Sequence, residues 1–248
     1  MNLRVRWMGL DMGECLMDVT PRRAHLLAGD TSKGLGQPEK AAARCHRWRV
    51  MVEKCGSWPI LLERHKDELL HYVFDDEPGA GELFLQVEQA HLDLANGATD
   101  ALAYLHAQGV ELAVVTAARS GPGRIEESAE YRFLVRHGVL QYFHSLISPK
   151  GKLRLSDHSV DRRYQGMTKE EGTIYDVLAE DLAESGIGPD EAVMMGDKEW
   201  TDIAPAKRRG FKTILYTGYI QRGPTEADLV VERFSDLQEL IRGPLDEG

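Results

Sequence analysis

The stretch AVMMGDKEWTDIAPAKRRGFKTILYT, residues 192–217, contains a strand, a helix and a second strand in succession. Residues 192–196 are apolar throughout, as expected of a strand covered on both faces. A helical pattern over 200–209 follows, and Gly210 closes it where a left-handed C-terminal residue suits glycine best. The second strand occupies 211–217. Two carboxylates, Asp197 and Asp202, stand just after the first strand. Ligands of open parallel sheets bind at the carboxyl ends of the strands, so both acids are candidate site residues.

The same alternation extends outward from this unit. Strands are expected over 110–116, 143–148 and 227–232, and helices over 99–108, 126–137, 170–185 and 235–242. Gly109, Gly138 and Gly186 close three of those helices. One further strand, 3–10, opens the chain, and the next does not come until 110. Helical patterns fill the gap. Residues 38–52 start at Pro38 and carry Ala41, Cys45, Trp48 and Val52. Residues 60–74 align Leu62, Leu69, Leu70, Val73 and Phe74, and 82–95 align Leu83, Phe84, Val87, His91 and Leu94. The expected architecture is an α/β doubly wound parallel sheet formed by 1–18 and 97–248, with an α-helical subdomain, 19–96, inserted after the first strand. The polar, basic stretch 149–168 is long for a connection and reads as an exposed hairpin or a functional loop.

Composition restricts the function. The chain has 248 residues, 42% hydrophobic and 28% charged, enough for a sizeable core, and no apolar run long enough to span a bilayer. The arginine-interrupted N-terminus does not resemble a secretory signal, so a cytoplasmic location is expected, with no membrane partner. A net charge of −10 argues against nucleic-acid binding. Cys15, Cys45 and Cys55 show no paired spacing, so neither a disulfide framework nor a zinc site is expected. The assembly is left as a monomer or homodimer.

Reading the strand ends in order gives Asp11, Thr116 and Asp197 with Asp202, and Lys169 opens the helix at 170. This set suits phosphoryl transfer, which needs negative charge stabilised on equatorial oxygens. Asp11 can attack phosphorus and form an aspartyl-phosphate. Magnesium held by Asp11 and Asp197 offsets their repulsion, and Lys169 neutralises further charge. The Thr116 hydroxyl and backbone N–H groups beside it, at Ala117, bind phosphoryl oxygens. Lys150 and Lys152 compete with Lys169, but no helix follows them.

The ordered set formed by GLDMGECLMD (9–18), LAVVT (112–116), TKEEGTIYDVL (168–178) and MMGDKEWTDIAPAKRRGFKTILY (194–216) resembles the haloacid dehalogenase-like (HAD) hydrolase superfamily. The resemblance covers the core, and the helical insertion matches the position of that superfamily's cap. It implies Asp11 as nucleophile, Thr116 as phosphoryl binder and Lys169 as charge-balancing lysine. It further implies Mg²⁺ held by Asp11, the main-chain carbonyl of Gly13 and Asp197, with Asp202 supporting the metal through water or a hydrogen bond.

Gly13 departs from the pattern, because phosphatases of the superfamily usually carry a second aspartate there as general acid and base. Three readings follow. A phosphatase without that group is slowed and biased towards good leaving groups, with Glu14, Asp18, His25 or His46 as replacement acids. A phosphonate-cleaving enzyme uses a Schiff-base lysine, for which Lys33 is the candidate and Lys40 and Lys54 follow. A catalytically weak member binds a phosphorylated ligand or partner. Dehalogenation fits less well, because Asp197 and Asp202 suggest a metal. A phosphatase acting on a small phosphorylated metabolite is the leading expectation. Lys40, Arg44 and Arg47 recur on one face of the 38–52 helix, either facing an anionic substrate or simply solvated.

Overall fold

The computed structural model describes residues 3–18, 21–55, 66–117, 124–219 and 223–245. Leu62 and the first part of the helix expected over 60–74 lie outside the described residues, as do the side chains of His25 and Cys55. The chain divides into two compact units, one formed by Met1–Asp18 with Leu94–Gly248 and the other by Val19–Asp93.

The first unit is an α/β fold built on an eight-stranded sheet. Its strands are β1 (Trp7–Leu10), β2 (Glu111–Val115), β3 (Phe143–Ser148), β4 (Gly151–Arg154), β5 (Val160–Asp161), β6 (Ala192–Gly196), β7 (Lys212–Tyr216) and β8 (Leu229–Val231). Their order across the sheet is β8-β7-β6-β1-β2-β3-β4-β5. From β8 to β3 all neighbours are parallel, joined by crossovers that carry helices such as Ala98–Ala107 and Thr173–Glu184. Every residue of β1 and β6 is buried, as the unbroken apolar runs implied. Trp7, Tyr164, Tyr175, Leu178, Met194 and Phe211 pack in one core cluster.

The 149–168 stretch is a hairpin that extends the sheet. β4 returns antiparallel along β3, and β5 pairs antiparallel beyond it. It is not merely a solvated excursion, because Leu153 and Tyr164 are fully buried. Buried Asp181, on helix Thr173–Glu184, binds Lys152, accepts from Arg163 at 2.9 Å and accepts from the Tyr164 hydroxyl at 3.0 Å. One carboxylate therefore fastens the hairpin to the core.

Two boundaries differ from expectation for one reason. The strand expected over 3–10 is in two pieces, and Leu3–Arg4 pairs with Ile241–Arg242 in a separate ribbon. The last helix consequently stops at Leu240, because the next two residues are extended.

The second unit contains helices Pro21–Gly34, Ala41–Cys55, Lys66–Phe74 and Ala80–His91. Leu27, Trp48, Met51, Leu69, Val73, Phe74 and Phe84 form its core. Helix Pro21–Gly34 was not anticipated, and it places Lys33 in a last helical turn rather than in a loop. The basic face is also different from expectation. Arg44 is fully buried, donates to Gln37 at 2.8 Å and Ser32 at 3.3 Å, and lies over the Phe74 ring. Arg47 pairs with Asp75 and Lys40 with Glu77, so the three cations do not form one solvated face. Among the described residues no helix is long and apolar enough to cross a membrane.

Candidate functional site

Three adjacent parallel strands, β6, β1 and β2, end at Gly196, Leu10 and Val115. Sheet geometry therefore lines up Asp197, Asp11 and Thr116 along one edge. The backbone is fixed on both sides. Asp11 N–H donates to the Met195 carbonyl and Thr116 N–H to the Ile147 carbonyl, each at 2.9 Å. Thr116 is buried and Ala117 half-buried.

Asp202 reaches this edge through a wide turn. Residues Glu199–Ile203 precede helix Ala204–Lys207, and the Lys198 carbonyl accepts from both Asp202 N–H at 2.9 Å and Ile203 N–H at 3.3 Å. Such turns insert an extra residue and re-aim side chains. Asp202 folds back over Gly196 so closely that a Cβ at 196 would overlap its carboxyl group, so glycine is required there for a steric reason. The Asp202 carboxylate then accepts from Lys198 N–H at 3.1 Å and from the Thr201 hydroxyl at 3.2 Å. Tyr175 holds the turn from beneath by donating to the Thr201 carbonyl at 2.7 Å.

Lys169 does not open a helix at 170, because the helix begins at Thr173 behind Gly172. Its ammonium nevertheless arrives at the expected place. Lys169 is 1% exposed and donates to Asp11 and, at 2.7 Å, to Asp202. Of its two competitors, Lys152 is committed to Asp181 and Lys150 sits in the hairpin turn.

Each of Asp11, Asp197 and Asp202 is buried and offers an oxygen, the three lying within 4.8 Å of one another. A fourth acid, Glu14, is buried close by, and Lys198 lies 3.2 Å from Asp197 and 3.5 Å from Glu14. Burial pushes the Asp11 carboxyl up to about 6, against the pull of Lys169, and Asp202 and Asp197 push it further. Burial alone would lower the Lys169 ammonium, but Asp11 and Asp202 hold it well above the usual lysine value. Three converging buried carboxylate oxygens match one divalent oxygen-seeking cation, so the residues present fit magnesium.

The loop after β1 has an unexpected register. Gly13 shows no positive φ, and a Cβ there would meet nothing within 4 Å beyond its chain neighbours. Its neighbour Glu14 does carry a left-handed φ of 59°, which costs a side-chain-bearing residue about 1 kcal/mol. The loop thus keeps a glycine where the backbone does not need one and a glutamate where glycine would be easier. Glu14 N–H donates to the Met17 carbonyl at 3.0 Å and Leu16 N–H to the Asp11 carbonyl at 3.3 Å, closing the turn.

Sequence reasoning missed Lys198. Its position directly after Asp197 was the available signal. Asp18 is half-buried in the first unit, and His46 belongs to the second. Lys33 pairs with Asp30 at 2.7 Å, and that hydrogen bond raises its pKa, the opposite of what imine formation requires. Lys40 and Lys54 pair with Glu77 and Glu68.

Comparison with known proteins identifies the family and the fold. Residues 40–210 match the family model of haloacid dehalogenase-like hydrolases, and the chain belongs to that family. No curated protein matches the sequence. Among solved structures, the chain is similar to YfnB from Bacillus subtilis, a candidate HAD-hydrolase bound to magnesium, with 16% identity, TM-score 0.56 and coverage of 95% of this chain and 98% of that one. It is similar to a HAD phosphatase from Thermococcus onnurineus, with 19% identity, TM-score 0.54 and coverage of 96% and 97%. An L-2-haloacid dehalogenase from Xanthobacter autotrophicus, with chloropropionic acid covalently bound, gives 16%, 0.56, 95% and 97%. At these identities the likeness establishes the fold.

Proposed function

We propose that the protein is a magnesium-dependent phosphatase of small phosphorylated metabolites, acting in the cytoplasm through an aspartyl-phosphate at Asp11. The carrying observation is the convergence of three buried carboxylates, Asp11, Asp197 and Asp202, whose oxygens lie within 4.8 Å of one another, a donor set suited to a divalent cation. Displacement of halide at carbon needs no such cation, and this favours a phosphatase over a dehalogenase. Asp11, the Gly13 carbonyl and Asp197 would hold the ion, with Asp202 in support. When bound, it supplies charge neutralisation that lets an anionic phosphoryl group approach an anionic nucleophile.

The chain's own residues do the rest. An Asp11 carboxylate oxygen attacks phosphorus in line with the ester oxygen; the new P–O bond forms as the ester P–O bond breaks. The Lys169 ammonium, held by Asp11 and Asp202, neutralises charge on the transferring group, and the Thr116 hydroxyl with the Ala117 N–H binds its equatorial oxygens. Water then attacks the aspartyl-phosphate, releasing phosphate and regenerating Asp11. Gly13 offers no proton to the departing oxygen. Substrates whose leaving group departs as a stable anion are therefore turned over fastest.

The test is a screen of phosphate esters and acyl phosphates with magnesium, with Asp11→Asn as control. Turnover that Asp11→Asn abolishes supports the proposal. No turnover above that control overturns it, and a ligand that raises Tm without being consumed would instead mark a binding protein.

A further inference from the structure

We propose that a cleft at the amino ends of β1, β2 and β3, at the opposite end of the strands from Asp11, binds a small zwitterion of the amino-acid class with an apolar side chain. Arg154 takes its carboxylate, Glu111 its ammonium, and the Ser145 hydroxyl bonds to it between them. The cleft lies wholly within the first unit. The inference is independent of the catalytic reading above, because none of its residues stands at the Asp11 edge.

Strand register builds the floor of the cleft. Trp7 pairs with Glu111 across β1 and β2, and Ser145 pairs with Arg154 across β3 and β4. Ala113, two residues on from Glu111 and so on the same face, pairs with Ser145, which places Trp7, Glu111, Ser145 and Arg154 on one side of the sheet. Helix Thr173–Glu184 covers that side at Trp7, which packs in one core cluster with Leu178 and Leu182. The amino ends of β2 and β3 and the end of β4 beside them border a cleft of about 840 Å³, walled by Asp181 and Leu182 of the same helix.

Three observations point to the ligand. First, Ser145 is 4% exposed and lines the cleft, yet its hydroxyl makes no hydrogen bond to any described residue. Buried hydroxyls are ordinarily bonded, so this one is left for an occupant. Second, the exposed side chains of Arg154 and Glu111 line the cleft and form no ion pair with any described residue. Asp157, whose pKa Arg154 lowers, is bonded instead to Ser159 at 2.9 and 2.7 Å, and Lys152 and Asp181 satisfy each other. Because β2 and β4 flank β3, the backbones of Glu111 and Arg154 stand about 10 Å or slightly more apart, with Ser145 between. A ligand with one sign of charge is repelled from one side, whereas a zwitterion satisfies both, its carboxylate suiting the guanidinium fork. Third, Val135 is 52% exposed and lines the cleft with half-buried Leu140 and Leu155, apolar surface that a ligand side chain can cover.

The experiment is calorimetric titration of the full-length protein with L-leucine, L-methionine, L-phenylalanine and L-tryptophan at millimolar concentration. Whichever binds is compared with the acid lacking its amino group and the amine lacking its carboxylate, and is titrated into Arg154→Met, Glu111→Gln, Ser145→Ala and Asp11→Asn. Melting without ligand shows that each variant is folded; Arg154 and Glu111 are exposed, so their variants decide the matter should Ser145→Ala not fold. The expected result is binding of at least one amino acid, weakened on the order of tenfold by each of the three cleft substitutions and by loss of either charge from the ligand, and unchanged by Asp11→Asn. No binding by any of the four overturns the proposal. So does binding that survives both Arg154→Met and Glu111→Gln. Equal binding of the acid alone marks a simple anion site, and loss of binding in Asp11→Asn places the ligand at the other edge; either result overturns the proposal.

Discussion

Replacing Lys169 by methionine deletes the ammonium at the middle of the buried cluster while keeping most of the side-chain volume. Lys169 is 1% exposed and serves two carboxylates, Asp11 and, at 2.7 Å, Asp202. Each such contact is worth about 4 kcal/mol at an effective dielectric of about 20, and several kcal/mol of lysine desolvation is recovered on its removal. The net expectation is a loss of about 3–5 kcal/mol, typical of stranding a buried charge. For a chain of this size that lowers Tm by about 6–20 °C. The loss depends on pH with a definite sign. Burial pushes the Asp11 carboxyl up to about 6, and without Lys169 to pull it down its folded-state pKa rises further. A carboxyl whose folded pKa exceeds its unfolded value stabilises at low pH, and the contribution disappears as pH rises through the folded value. The deficit of Lys169→Met relative to wild type therefore grows as pH rises above about 6. The assay is urea unfolding in EDTA at several pH values, repeated with magnesium, which should recover part of the loss. A deficit below about 1 kcal/mol on the alkaline side of that value, or one that does not change with pH, would refute the assignment of Lys169 as counter-ion.

Two further outcomes are expected. A Cβ at position 13 meets nothing within 4 Å, so Gly13→Asp has room, and turnover of alkyl phosphates should rise by about 10²–10⁴-fold and that of aryl phosphates far less, as compared by kcat on the two classes with magnesium present; an equal change for both classes counts against the proton-donor argument. In the helical unit, Arg44→Met should cost about 1–3 kcal/mol in urea unfolding, whereas Lys40→Met costs under about 1 kcal/mol, because Arg44 alone of the two is fully buried.

The sheet was legible because its parallel strands are buried on both faces and therefore read as unbroken apolar runs, as 192–196 does. Asp11, Thr116 and Asp197 were legible for a related reason, since strand ends of a parallel sheet fix which residues share an edge. Helix Pro21–Gly34 was not, because Leu27 is the one large apolar side chain among the described residues of its buried face. Its buried face includes Ala28, Thr31 and Ser32, and its glycines read as breakers. Gly34 in fact permits a close approach, since a Cβ there would stand 2.8 Å from a Leu83 methyl. Arg44 was misread because a guanidinium suggests a surface, and nothing local announces that Gln37, Ser32 and Phe74 will enclose it. Lys198 was missed because only tertiary structure places Glu14 beside it.

The contact between Gly196 and Asp202 bears on how this site can change over generations. A side chain of any size at 196 occupies the space that the Asp202 carboxyl now fills. Substitution at 196 is thus harmless only in a descendant that has already given up the acid at 202, and recovering that acid demands the glycine first. The two positions form a one-way gate in sequence space. A lineage that leaves through 202 and then drifts at 196 cannot return by a single step, so loss of this carboxylate should be easy to acquire and hard to reverse.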